Sequence, residues 1–444
     1  MTHREDLYVP PHWDPEESPL LFLPDEVKEM VVNNLTPENS DTLHFSMASP
    51  ELRMISLAKF WSFVKEDRTL INLQRHPHNV QQTYANFIRE LHMTINDPRI
   101  DVSHLRFNSL ERLALRLPAV NQGSMVHDIS YLLGPHLTHL KLYDVNNTSS
   151  TSNAAQVENF LPFLNRSPGL KHLDIGLRID AIPTELLSGV QSCPDLETLH
   201  IHHQGSSASS LKIDHEVLKH VCLSKKIKNF YWSQCLSDET VLRALEDIPE
   251  DQGVMLGLSH ISLRISSEAA ALLLPRLHSI ESLVLYISDE GNILQSVATM
   301  PRLTRLHLQY EIDMVLDRVV LQPLQSMKLT RLTIRPDDPV DRELDADAIT
   351  LDDLSYIFGS NNTLRRLEVF WDMHEDYFRE ALIDVMWRLT QAYPALEDLE
   401  IPYGVLKFPL AADTSFTTTV PAIMFPRLKY LKVLKLQQPS DESQ

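Results

Sequence analysis

The chain has 444 residues, 43% of them hydrophobic and 23% charged, and 40 Lys or Arg against 60 Asp or Glu give a formal net charge of −20. That length holds two or three ordinary domains or one long repeat array, and the composition excludes a wholly disordered protein. So acidic a balance excludes nucleic acid as the partner of the whole molecule, and no run approaches the ~18 apolar residues of a membrane helix, so no membrane partner is expected.

Chemistry is excluded on similar grounds. Only 11 glycines occur, and neither GxGxxG nor GxxxxGK[ST] is present, so no phosphate-cradling loop and no nucleotide cofactor are expected. The three cysteines, Cys193, Cys222 and Cys235, make no CxxC pair and no disulfide framework, which points to a reducing compartment, cytoplasm and/or nucleus. They read as structural thiols. The helix-like "HEVLKH" (215–220) spaces its histidines five apart, one too many for a zinc-protease helix. "LHIHH" puts His200 and His202 on one strand face with His172 on the neighbouring strand. Without a carboxylate or thiol constellation evident in the sequence, no metal and no enzyme activity are expected.

In chain order, residues 1–18 are acidic and proline-rich, with no apolar h-region, and read as a disordered segment rather than a signal peptide. Residues 19–67 follow as a helical unit. Leu23-Pro24 introduces Val27, Met30, Val31 and Leu35 at one face of a helix, and Pro37 stops it. A second stripe, Leu43, Met47, Leu52, Ile55 and Leu57, predicts two further short helices broken near Pro50.

Leu23-Pro24-x-Glu26-Val27, the apolar turns to Leu35 and the stretch "FSMASPELR" (45–53) resemble an F-box. The resemblance implies docking on a Skp-type adaptor of a cullin–RING ubiquitin ligase through Leu23, Pro24, Glu26, Val27, Met30, Val31, Leu35, Phe45, Met47 and Leu52. Pro50 stands where the family usually carries a basic residue. The same 45 or so residues also read as a plain helical cap on a repeat array, whose ends need covering. Residues 68–84 are expected to be a linker or capping region.

From residue 85 to 437 a frame Leu-x-x-Leu-x-apolar recurs thirteen times, from "IRELHM" at Ile88 to "LKYLKV" at Leu428, at intervals of 22 to 35 residues. The fourth position is leucine in eleven copies, and proline stands two residues before the frame in six, where chance would supply fewer than one. Alternation within the frame predicts a short strand with one buried face. Segments such as 157–168, 183–194 and 375–394 carry apolar residues at helical spacing. One strand and one helix per repeat is an α/β solenoid, and these frames resemble the leucine-rich-repeat family, which implies parallel strands on a concave face. The family's usual Asn or Cys after the frame occurs only as Cys235; Ser266, Ser288, Asp337 and Asp372 stand there otherwise. Inserts are predicted at 146–153, 203–210 and 336–348, and residues 438–444 form a tail.

Frame positions 3, 5 and 7 face away from the core. Of these 39 residues nine are Lys or Arg, five are acidic and seven are His. Arg305, Arg331 and Arg366 share position 3, with Arg264, His307 and Arg335 beside them. Arginine forks suit carboxylate and phosphate, so the six are candidates for binding an acidic or phosphorylated protein target. The acidic insert 336–348 follows the Arg331 strand and would lie over them as an internal mimic. The same residues also read as soluble filler. Together these features suggest a non-catalytic substrate receptor of a Skp–cullin–F-box ligase; a repeat scaffold or GTPase-regulator-like protein without ligase connection is the other reading.

Overall fold

A computed structural model describes residues 27–28, 30–31, 50–95, 97, 99–117, 130–144, 161–177, 185–203, 215–337, 344–345, 363–369, 393–402, 427 and 429–434. The chain divides into two compact units. The first holds residues 1–172 and 192–194, the second 173–191 and 195–444.

In the first unit a helix, Pro50–Trp61, precedes the strands. Proline is at home there, because the first helical position has no intrahelical use for an N–H. Next come β1 (Phe63–Val64), β2 (Glu90–Thr94), β3 (Arg112–Leu117) and β4 (His139–Asp144). Neighbouring strands pair in parallel, with Phe63 opposite Glu90, Glu90 opposite Arg112, and Arg112 opposite His139. The strand β1 was not expected. Its register makes Trp61 frame position 1 and Val64 position 4, and both are buried, at 6% and 1% exposure. Position 6 is Glu66, which is exposed, so only the first and fourth positions of the frame are kept. Helices Asp67–Leu73 and His78–Ala85 fill residues 68–84. The Trp61 ring stacks on Tyr84 at 4.8 Å between centroids. Asp67 accepts from the Thr94 backbone N–H at 2.9 Å and its hydroxyl at 2.6 Å, fastening a helix start to the end of β2.

In the second unit the main strands are β5 (His172–Leu177, from Leu173 on), β6 (Thr198–His203), β7 (Asn229–Leu236), β8 (His260–Ile265), β9 (Ser282–Ile287) and β10 (Arg305–Tyr310). After the two-residue β11 (Met314–Val315) come β12 (Arg331–Pro336), a short β13 (Leu344–Asp345), β14 (Arg366–Val369), β15 (Asp398–Pro402) and β16 (Tyr430–Leu434). The main strands follow one another in sequence order, and β11 pairs separately with β13. Every one of the thirteen frames forms a strand beginning at its third position. The expected α/β solenoid is thus the observed fold of each unit.

The physical reason is burial by alternation. In β8 and β9 residues alternate half-buried and buried throughout. Leu303, Leu306 and Leu308, at positions 1, 4 and 6, are 4%, 2% and 0% exposed, and removing a leucine side chain from water contributes about 1.5–3 kcal/mol. A backbone ladder stacks the turns as well. The carbonyl of frame position 2 accepts from residues 2 and 3 of the next turn: Glu281 O from Thr304 and Arg305, then Thr304 O from Thr330 and Arg331. The same pattern holds at Arg89, Glu111, Lys228, Thr330, Arg365 and Glu397. No asparagine ladder is needed where main chain does this. Short helices begin on side-chain caps, Ser237 accepting from Thr240 N–H and Ser266 from Ala269 N–H.

One strand departs from the frame. The register of β7 against β8 slips between Trp232 and Cys235, leaving Ser233 and Gln234 as extra residues. Cys235, not Ser233, therefore stands opposite Arg264, and its thiol lies 3.5 Å from the Ser288 hydroxyl.

Candidate functional site: the exposed strand face

The position-3 residues of the second unit form a register-aligned column. Ser282 pairs with Arg305, Arg305 with Arg331, Arg331 with Arg366, and Arg366 with Asp398. Adjacent strands lie about 4.8 Å apart, so three arginines stand in consecutive rungs. Position 7 carries Arg264, Tyr286, Gln309 and Arg335 in the same way.

The six candidate target-binding residues differ in what surrounds them. Arg264 is ion-paired with Glu311, whose side chain is only 10% exposed. Arg366 is ion-paired with Glu368 on its own strand, its Nε 2.6 Å from the carboxylate. Glu368 also accepts from the Thr333 hydroxyl at 3.0 Å, so its carboxylate is committed on both sides. Arg305 donates to His260 Nε2 at 3.0 Å, and Arg335 to the Gln309 side-chain oxygen at 3.3 Å. Arg331 is exposed and forms no ion pair with a described residue. His307 lies among them half-buried. Burial first, and the Arg335 charge next, hold its pKa below the ordinary imidazole value, so it is neutral near pH 7. Among the described residues, the positive charge of these six without a carboxylate partner thus narrows to Arg305, Arg331 and Arg335.

Of the acidic insert, Asp337 accepts from the Gln309 amide, and Leu344–Asp345 pairs with Met314–Val315. Residues 338–343 and 346–348, which would form the internal mimic, lie outside the described residues, as do the insert expected at 146–153 and all of that expected at 203–210 except His203, which ends β6.

Among the candidate adaptor residues, Leu23, Pro24, Glu26, Leu35, Phe45 and Met47 lie outside the described residues. Val27, Met30 and Val31 are helical, with Val27 and Val31 half-buried and Met30 63% exposed. Leu52 falls within the helix Pro50–Trp61.

Cys193 and Cys222 are not activated. Burial pushes the Cys222 thiol up to about 12 and raises that of Cys193. The histidines bring one surprise. Asp174, His200 and His202 come together on β5 and β6, the neighbouring repeat supplying the carboxylate that the local sequence around His200 and His202 lacks. Asp174 and His200 both occupy frame position 5, so counting frames rather than nearby residues reveals the pair.

Among the described residues no helix is long and apolar enough to cross a membrane. No family description matches the sequence, and no curated protein matches it. Among the solved structures that are similar are the following two. One is the leucine-rich repeat-containing protein LegL7 from Legionella pneumophila, with 13% identity over 72% of this chain and 90% of that one, TM-score 0.35. The other is the internalin InlF from Listeria monocytogenes, with 12% identity over 82% of this chain and 93% of that one, TM-score 0.38. The thirteen leucine-bearing frames, each forming a strand from its third position, are what make each unit a β/α solenoid.

Proposed function

We propose that the chain is a non-catalytic receptor whose exposed strand face binds an acidic or phosphorylated protein segment, and whose N-terminal helical segment docks a Skp-type adaptor of a cullin–RING ubiquitin ligase. The observation that carries the first half is the alignment of Arg305, Arg331 and Arg366 in consecutive rungs, with Arg331 exposed. Guanidinium groups on strands about 4.8 Å apart can both reach one phosphate, which brings close to two negative charges. His260 steadies Arg305, Gln309 steadies Arg335, and the two ion-paired arginines, Arg264 and Arg366, bound the patch. His307, being neutral, adds a hydrogen-bonding nitrogen at its floor.

Support for the second half is the F-box-like sequence at 23–53 placed ahead of the repeats. A bound target would be held near the ubiquitin-charged enzyme, so that the rate gain comes from proximity.

Two measurements test the halves separately. Fluorescence anisotropy with a phosphopeptide library should find ligands whose affinity falls with added salt and collapses in Arg331→Glu. A wild type with no preference for phosphorylated or acidic peptides sinks the target reading. Co-purification with a Skp-type adaptor, lost in Leu23→Asp/Val27→Asp, tests the other half. A folded wild type that ignores the adaptor leaves a repeat scaffold without ligase connection.

A further inference from the structure

The cluster of Asp174, His200 and His202 lies within the second unit and is independent of the arginine column. His200 and His202 are two apart on β6, so both rings leave the same strand face. Asp174 comes from β5, the hydrogen-bonded neighbour. The ligand atoms of the three all lie within 4.8 Å of one another, and His202 Nε2 is 3.2 Å from Asp174 Oδ1.

A tetrahedral ion with bonds of about 2.0–2.1 Å separates its ligands by about 3.3 Å. One edge of the triangle already has that length, and a side-chain rotation of roughly 1.5 Å at the imidazoles closes the rest. The site is reachable, since the His202 and Asp174 side chains are 35% and 24% exposed. It is also held. Tyr231 lies against the His202 ring at 4.4 Å between centroids and meets His200 at 6.0 Å, backing both rings from the next strand.

We propose that Asp174, His200 and His202 bind a divalent transition-metal ion, Zn²⁺ being the best fit, with a fourth position open on the exposed strand face. Two imidazoles and one carboxylate suit such an ion. Ca²⁺ and Mg²⁺ want more oxygen ligands, and Cu⁺ wants sulfur. The ion ties β5 to β6, and its open position takes water or a nitrogen or oxygen donor from a bound molecule. The rival is an Asp–His hydrogen bond with no ion.

The full chain, stripped with chelator and dialysed against micromolar Zn²⁺, should retain one ion. His202→Gln and Asp174→Asn should each weaken binding at least tenfold, while His278→Gln, at an exposed histidine elsewhere, should leave it unchanged. Zn²⁺ should raise the melting temperature of the wild type and not of the two site variants. Should a variant fail to fold, X-ray absorption of the zinc-loaded wild type decides: two imidazoles plus oxygen at about 2.0–2.1 Å is expected. Absence of a stoichiometric ion, equal affinity in the site variants, or a shell without two imidazoles overturns the proposal.

Discussion

Arg305 reaches across an intervening strand to His260, its guanidinium donating to Nε2 at 3.0 Å. Between them in register stands Ser282, small enough to leave the path open. Because a guanidinium only donates, His260 Nε2 must be the accepting, unprotonated nitrogen. Its Nδ1, 2.8 Å from the Ser259 hydroxyl, carries the proton. A column of like charges is thereby held partly by a neutral imidazole, which fixes where one arginine points without cancelling its charge.

That path can be closed. Ser282→Phe should force Arg305 off His260 and weaken binding of an acidic peptide several-fold while leaving the strands intact, read by anisotropy beside circular dichroism. Unchanged affinity would mean that the orientation of Arg305 does not matter.

The core leucines should be far more sensitive. Leu308→Ala, at a position 0% exposed, should cost about 2–5 kcal/mol, seen as a lower urea midpoint. Arg331→Ala, on the opposite side of the same sheet, should stay within about 0.5 kcal/mol.

Gly257 makes a close approach that no side chain would survive. A Cβ there would fall against the Lys225 carbonyl and 2.9 Å from that of Ile227. Gly257→Ala should therefore destabilise by about 1–3 kcal/mol, measured as a fall in urea midpoint.

Acid should weaken the first unit. His139 stacks on His172 at 4.0 Å, and burial, then the His172 and Arg112 charges, bring its pKa down to about 4, against the pull of Glu90. The unfolded chain takes up that proton near pH 6.5 and the folded one only near 4. Stability from this group is therefore full above about pH 6.5 and declines as pH falls towards 4. Melting temperature followed from pH 7 to 4.5 should fall, and less steeply in His139→Gln.

The thirteen frames were legible because alternation over six residues leaves one register in which all leucines are buried. The missed strand, Phe63–Val64, hides because its sixth position is Glu66, and a two-residue strand gives no period to count. The β7 bulge was invisible because two extra residues, Ser233 and Gln234, leave the parity of the strand unchanged while adding to one side of the pairing.

Repeat spacing by itself determined which residues form the core, which face outward, and that Arg305, Arg331 and Arg366 share one column, because a two-residue period leaves each side chain only two directions. Only the tertiary structure decided how those outward residues pair. Glu311 beside Arg264, Glu368 beside Arg366, His260 beneath Arg305 and Asp174 beside His202 depend on side-chain reach and on the neighbouring strand. Charge falls off with distance in space rather than along the chain, so the formal charge of a face became an electrostatic site only when its partners were placed.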